Sequence, residues 1–114
     1  MDKKEIIAIR QAHIAKSETC RAFELHRKLK KKGGREIILI VIGTRCLTFN
    51  DDAERLVTNL GLQMDDVEGI PFTGFHKAIV GDCLSRLTKK RQRIAVCDVD
   101  ARTVRHFAPD TKET

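Results

Sequence analysis

Two rhythms of apolar residues run along this chain, and they predict alternating helices and strands. Residues 3–16 and 18–32 are polar with recurrent apolar positions. They read as two helices, with Ser17 as the N-cap of the second and Gly33-Gly34 as its stop. Cys20, Phe23 and Leu29 fall to one side of that second helix. Residues 36–42 then carry Ile37-Ile38-Leu39-Ile40-Val41-Ile42, a run apolar at both parities, as in a central strand covered on both faces. Gly43-Thr44 supplies a tight turn, and residues 45–49 return as a second strand. Asn50 or Asp51 is placed to cap a helix over 52–60, whose Ala53, Leu56, Val57 and Leu60 form an apolar stripe. Gly61 closes it.

Residues 62–67 read as a short strand. The run Gly69-Ile70-Pro71-Phe72-Thr73-Gly74-Phe75-His76 reads as turn-containing, with Phe72 and Phe75 beside the turn. A helix over 78–87 follows, with Ile79, Val80, Cys83, Leu84 and Leu87 on one face. Residues 93–99 form a strand, and 103–107 an edge strand. Helices interleaved with strands predict a single α/β domain, a mixed β-sheet flanked by helices. The expected organisation is an N-terminal helical segment, 1–34, packed on the domain, a core over 35–107, and a frayed tail over 108–114.

No apolar run approaches the ~20 residues of a membrane span, and the charged start (Asp2, Lys3, Lys4, Glu5) predicts no secretion signal. A cytoplasmic location without membrane partners is expected. Cys20, Cys46, Cys83 and Cys97 form no CxxC pair and read as reduced, buried thiols.

Charge changes the picture. The net value is +6, and it is concentrated. Arg27, Lys28, Lys30, Lys31, Lys32 and Arg35 form one basic run; Arg86, Lys89, Lys90, Arg91 and Arg93 form another. These hold eleven of the 22 Lys and Arg, while the rest of the chain is net acidic. Both runs close predicted helices, where cations also answer the helix dipole. Both precede a strand. Were those strands parallel neighbours, the two runs would share one end of the sheet, and Gly43-Thr44 would lie at the other. Such a surface suits nucleic acid or an acidic protein.

Candidate chemistry is sparse. A zinc set of Cys20, His26, His76 and Cys83 matches no finger or knuckle spacing. Asp51-Asp52 and Asp98/Asp100 could in principle hold Mg²⁺, but the first pair reads as a helix cap and the second as carboxylates entering solvent. His76 and Cys83 are placed on one helix ~10 Å apart, too far for a nucleophile pair. No catalytic residue and no cofactor is assigned. The five Phe read as core rather than as a stacking platform.

Several residues together resemble a known family. The strand Ile37–Ile42, then Gly43, Phe49, Asp52 and Ala53, align with an apolar strand followed by Gly-Asp-Phe-Tyr-Glu-Leu-Phe-x-x-Asp-Ala. Pro71, Phe72, Thr73 and Gly74 align with a Pro-Met-Ala-Gly-Ile-Pro-Tyr-His-like segment. Val80, Leu84 and Leu87 match its helix, and Ala95-Val96-Cys97 its Val-Ala-Ile-Cys strand. Segment 35–100 thus resembles the N-terminal mismatch-recognition domain of the DNA mismatch repair protein MutS.

The resemblance implies a MutS mismatch-recognition-like fold and a link to DNA repair. In that family the Phe of the Phe-x-Glu motif wedges beside a mispaired base and the Glu bonds to it. Arg45 and Leu47 stand at those places here, so mismatch specificity by that route is not expected. No GxxxxGK[ST] phosphate loop occurs. The expected role is non-catalytic, nonspecific nucleic-acid binding, DNA ahead of RNA. The contacts expected are Lys28, Lys30, Lys31, Lys32, Arg35, Lys89, Lys90, Arg91 and Arg93, with Arg45 secondary. A repair or DNA-processing protein is a further candidate partner. The alternative is a protein-interaction module that kept the fold and lost DNA binding.

Overall fold

The computed structural model describes residues 2–32 and 34–109. Its elements are, in chain order, α1 (Lys3–Lys31), β1 (Ile37–Ile42), β2 (Arg45–Phe49), α2 (Asn50–Leu60), β3 (Asp65–Val67), β4 (Ile70–His76), a 3-10 turn (Lys77–Ile79), α3 (Val80–Lys89), β5 (Ile94–Asp98) and β6 (Thr103–Phe107). One mixed sheet runs β3-β4-β2-β1-β5-β6, with β1 and β5 parallel and every other pair antiparallel.

The double-sided character of β1 decides the layers. Alternate residues of a strand point to opposite faces. Ile38, Ile40 and Ile42 pack with Leu47, Phe49 and Ala22 of α1. Ile37, Leu39 and Val41 pack with Leu56 of α2 and Leu87 of α3. The sheet therefore lies between α1 on one side and α2 with α3 on the other. The apolar stripe of α2 faces inward as read, and so do Val80, Cys83, Leu84 and Leu87 of α3, whereas Ile79 lies in the 3-10 turn and is exposed; all six residues of β1 are buried.

The two predicted N-terminal helices are one. Ser17 does not cap; it continues α1, because no Gly or Pro interrupts residues 3–31 and most of them are good helix formers. Asp2 caps the start by accepting from the Lys4 N–H. At 1.5 Å per residue α1 is about 43 Å long. Only its second half packs on the domain. From Lys3 to Ile14 every described side chain is exposed, including Ile6, Ile7 and Ile14, and the molecule measures 63 × 28 × 26 Å. The helix that makes up most of the expected N-terminal segment is thus half packed and half projecting. The Gly33 stop lies outside the described residues, as does the tail beyond residue 109.

Three further expectations are corrected. Neither Asn50 nor Asp51 caps α2: the N-cap position is Phe49, without a side-chain cap bond, and Asn50 already lies in the helix with φ 53°. His76 does not share a helix with Cys83; it ends β4, and its Nδ1 accepts from the Ala78 N–H. The supposed turn around Phe72–Phe75 is strand throughout, with Phe72 paired to Phe49 and Phe75 to Cys46. The turn lies earlier, at Glu68-Gly69, where φ values of 50° and 82° make the two-residue hairpin that twisted strands favour. Gly61 (φ 72°) ends α2 as read.

Gly74 appears in β4 for a packing reason rather than a turn. A Cβ there would sit 2.5 Å from Leu47 Cδ2 and 2.8 Å from the Cys46 carbonyl oxygen. Because the second neighbour is backbone, the strands themselves must part. Gly74→Ala is expected to lower unfolding free energy by about 1–3 kcal/mol in urea titration; a loss below about 0.5 kcal/mol would show that the β2–β4 pair yields freely.

Candidate nucleic-acid interface

The parallel β1–β5 pairing carries the charge distribution with it. Ile37 is in register with Ile94, and the Ile37 N–H donates to the Arg93 carbonyl at 2.8 Å. The chain therefore enters both strands side by side. The C-terminal end of α1 and that of α3 arrive at this same end of the sheet, each carrying its basic run. Gly43-Thr44, at the far end of β1, lies opposite. Arg35 and Arg93 line one open notch of about 620 Å³ together with Glu36 and His106. His106 Nδ1 donates to Glu36 Oε2 at 2.9 Å.

Not all the cations are free to meet a ligand. Lys30 Nζ donates to Asp52 Oδ1 at 3.1 Å and to the Glu36 carbonyl at 2.9 Å, so it serves the fold. Lys90 Nζ donates to the Asn59 carbonyl at 2.6 Å, tying α3 to α2. Arg91 has a left-handed backbone (φ 62°) and is engaged by other groups. Arg27 and Arg86 pair with Glu24 and Asp82 on their own helices. The side chains of Lys28, Lys31, Lys32, Arg35, Lys89 and Arg93 make neither a hydrogen bond nor a close ion pair among the described residues, and the rim they form across the sheet end is open to solvent.

Arg45 is not part of that rim. It opens β2 at the opposite end, where its Nη2 donates to the Ala15 carbonyl at 2.7 Å and to Thr19 Oγ1 at 2.8 Å, with Glu18 at 3.6 Å. Leu47 is 2% exposed and packs in the core. Of the two positions where the resemblance expects a wedge and a base contact, Leu47 is therefore sealed in the core and Arg45 is half-buried and tied to α1, and both are altered in chemistry. Gly43 allows this cover, because a Cβ there would collide with the Glu18 carboxylate.

Asp52, which by sequence reads as part of a helix cap, is a buried polar centre. It is 1% exposed. Its Oδ2 accepts from His26 Nε2 at 2.8 Å and from the Ile38 N–H at 3.0 Å, and its Oδ1 from Lys30. One carboxylate thus ties α1, β1 and α2. Burial pushes its pKa up, but the bonds from His26, Ile38 and Lys30 prevail and hold it below the ordinary value. The sequence signal for this centre is slight: an acid directly beside Ala53 on the inward stripe of α2, and a His and Lys four apart on one face of α1.

His26 is thereby withdrawn from the zinc set, and His76 caps the 3-10 turn. No group of three or more His, Cys, Asp or Glu among the described residues is arranged to hold a metal. All four cysteines are free thiols. Cys46 and Cys83 are buried as read, whereas Cys20 and Cys97 are half-buried. Burial pushes the thiols of Cys46, Cys83 and Cys97 up, away from reactive thiolates. No helix among the described residues is long and apolar enough to cross a membrane.

Neither a protein-family model nor a curated protein matches the sequence. The likeness to the MutS domain rests on the sequence motifs of segment 35–100.

Proposed function

We propose that this chain is a non-catalytic nucleic-acid-binding module, related to the mismatch-recognition domain of MutS, that grips the phosphate backbone through the basic end of its sheet. The observation that carries the reading is the convergence of two sequence-distant basic runs on one end, joined by Arg35 and Arg93 across the parallel pair. Six uncommitted cations of one sign attract a polyanion by counterion release and carry no sequence information. The link to DNA rather than RNA, and to repair, comes from the family resemblance.

A labelled duplex tests it. At low salt the protein is expected to bind with Kd between about 10⁻⁶ and 10⁻⁴ M, with log affinity falling linearly in log salt. No complex at about 100 μM protein would end the reading. A G·T duplex and its matched partner are expected to differ by less than about threefold, because wedge and base contact are gone. A tenfold preference would mean that Arg45 or Leu47 leaves its place under α1.

A second reading is favoured by a different observation. The projecting half of α1 shows Ile6, Ile7 and Ile14 to solvent at 39%, 54% and 60% exposure. A helix this polar and unsupported gains little from propensity alone, and a partner protein seated on it would account for the isoleucines. Capture of a partner that is lost on Ile7→Glu, with duplex binding absent, would select that reading.

A further inference from the structure

A second concavity lies beside the basic rim, between α1 and the first turn of α2. It is an open cleft of about 390 Å³, near the lower limit of the ~300–1,000 Å³ typical of small-ligand sites. Its α1 wall comes from residues 23, 26, 27, 30 and 31, one face of a helix by spacing.

The floor is aromatic. Phe23 is half-buried and meets the sealed ring of Phe49 edge-on, with centroids 5.5 Å apart. His26 borders the cleft with only 4% exposure. Its Nε2 is held by Asp52, which leaves Nδ1 as the second polar atom of the ring. That nitrogen makes no hydrogen bond with a described residue, yet among the described residues no buried side-chain nitrogen or oxygen is an orphan. Nδ1 therefore reaches solvent, and the cleft is the opening that His26 borders. The first turn of α2 faces the same space without a side-chain cap. Arg27 and Lys31 stand on the α1 side; the Arg27–Glu24 pair is exposed and weak enough for a phosphate to displace, and Lys31 also belongs to the rim.

This set fits one ligand chemistry. A bare anion would leave the phenyl ring unused, and an apolar molecule would leave the cations unused. A nucleotide uses all of it: a flat base on Phe23, a polar base edge on His26 Nδ1, and a phosphate on Arg27 and Lys31. The exposed carboxylate of Asp51, on the α2 side, directs the phosphate toward α1. We propose that this cleft receives one unpaired nucleotide, so that the domain prefers single-stranded nucleic acid to intact duplex. The preference rests on the backbone-binding reading, whereas the cleft itself is testable without it.

The probe for the cleft is 5′-dAMP added to the isotope-labelled full chain and followed by amide NMR. Shifts are expected at Phe23, His26 and Asn50, with weaker shifts from deoxyadenosine and none there from inorganic phosphate. Silence at these residues at millimolar dAMP overturns the proposal. The strand test compares a 12-mer, about one small module's site, as single strand and as duplex by fluorescence anisotropy. The single strand is expected to bind at least about fivefold tighter, as one stacked base would allow. Phe23→Leu should erase that margin and leave duplex affinity unchanged; a margin that survives it refutes the cleft. Arg27→Gln, on the exposed face, should weaken dAMP binding and serves where Phe23→Leu perturbs folding. Duplex binding with a silent cleft removes only this inference. Binding of dAMP without either 12-mer supports the cleft and removes the rim.

Discussion

Replacing Asp52 with alanine is expected to destabilise the domain by about 3–5 kcal/mol, a large share of the ~5–15 kcal/mol that holds a domain folded. The substitution deletes no large apolar surface. Its effect comes from the groups it strands. The Ile38 N–H and the His26 ring N–H both lose their acceptor in the sealed interior, and an unmet buried donor costs about 1–3 kcal/mol each. The Lys30 ammonium loses its counter-charge at a half-buried position. Asp52→Asn keeps the volume and one acceptor oxygen, so it should lie between alanine and wild type. Asp51→Ala, at the exposed neighbouring position, should stay within about 0.5 kcal/mol. Urea midpoints of the variants measure this directly. Equal losses at 51 and 52 would mean that the carboxylate acts as a helix cap after all.

The same centre sets an acid limit. The folded Asp52 carboxyl titrates below its ordinary value, so near that value the unfolded chain binds more protons than the folded one. Stability from this group is therefore complete above the ordinary aspartate range and is lost as pH falls through the folded pKa. The gap in stability between wild type and Asp52→Asn should be widest near neutrality and close in strong acid. A gap that widens on acidification would reverse the assignment. Glu24, also lowered by its Arg27 partner, is fully exposed and screened and adds no comparable slope.

Much of the fold was legible because burial patterns are periodic. Ile37–Ile42, apolar at both parities, could only be a central strand, and the stripes of α2 and α3 named their inward faces. The placement of the basic runs followed from topology alone, since two parallel strands bring their entrances together. What escaped was long-range and polar. Ser17 as a cap is the default reading because Ser is enriched at caps, yet a cap forms only where a helix must begin, and nothing there breaks α1. Gly74 suggests a turn because local sequence does not report that Leu47 and the Cys46 carbonyl crowd it from another strand. Asp52, beside two other turn-favouring residues, resembles a solvated helix start; its partners are 14, 22 and 26 residues distant. Within the candidate site, the cations were visible in sequence. Which of them the fold had already committed was not, because the acceptors of Lys30, Arg45 and Lys90 include backbone carbonyls that carry no sequence signature.

That division yields the second large effect. Reversing Lys31, Lys32, Arg35 and Arg93 to Glu together is expected to weaken duplex binding at low salt by about 100-fold or more, and to flatten the log–log salt slope by about 0.9 for each phosphate no longer neutralised. Reversal also places acids at the C-terminal end of α1, which costs up to about 1 kcal/mol per charge through the helix dipole. Circular dichroism must therefore show the variant folded, and a matched set of Gln substitutions should give a smaller loss with the same flattened slope. Arg45→Gln provides the contrast. It breaks charge-assisted bonds to Ala15 and Thr19, worth about 1.5–3 kcal/mol each at most, so it should lower stability while leaving the salt slope in place. A flattened slope from Arg45→Gln and an unchanged one from the rim variants would move the nucleic-acid surface to the opposite end of the sheet. Backbone binding through the parallel-strand entrance requires the reverse, because that is where, among the described residues, six cations with uncommitted side chains share one rim.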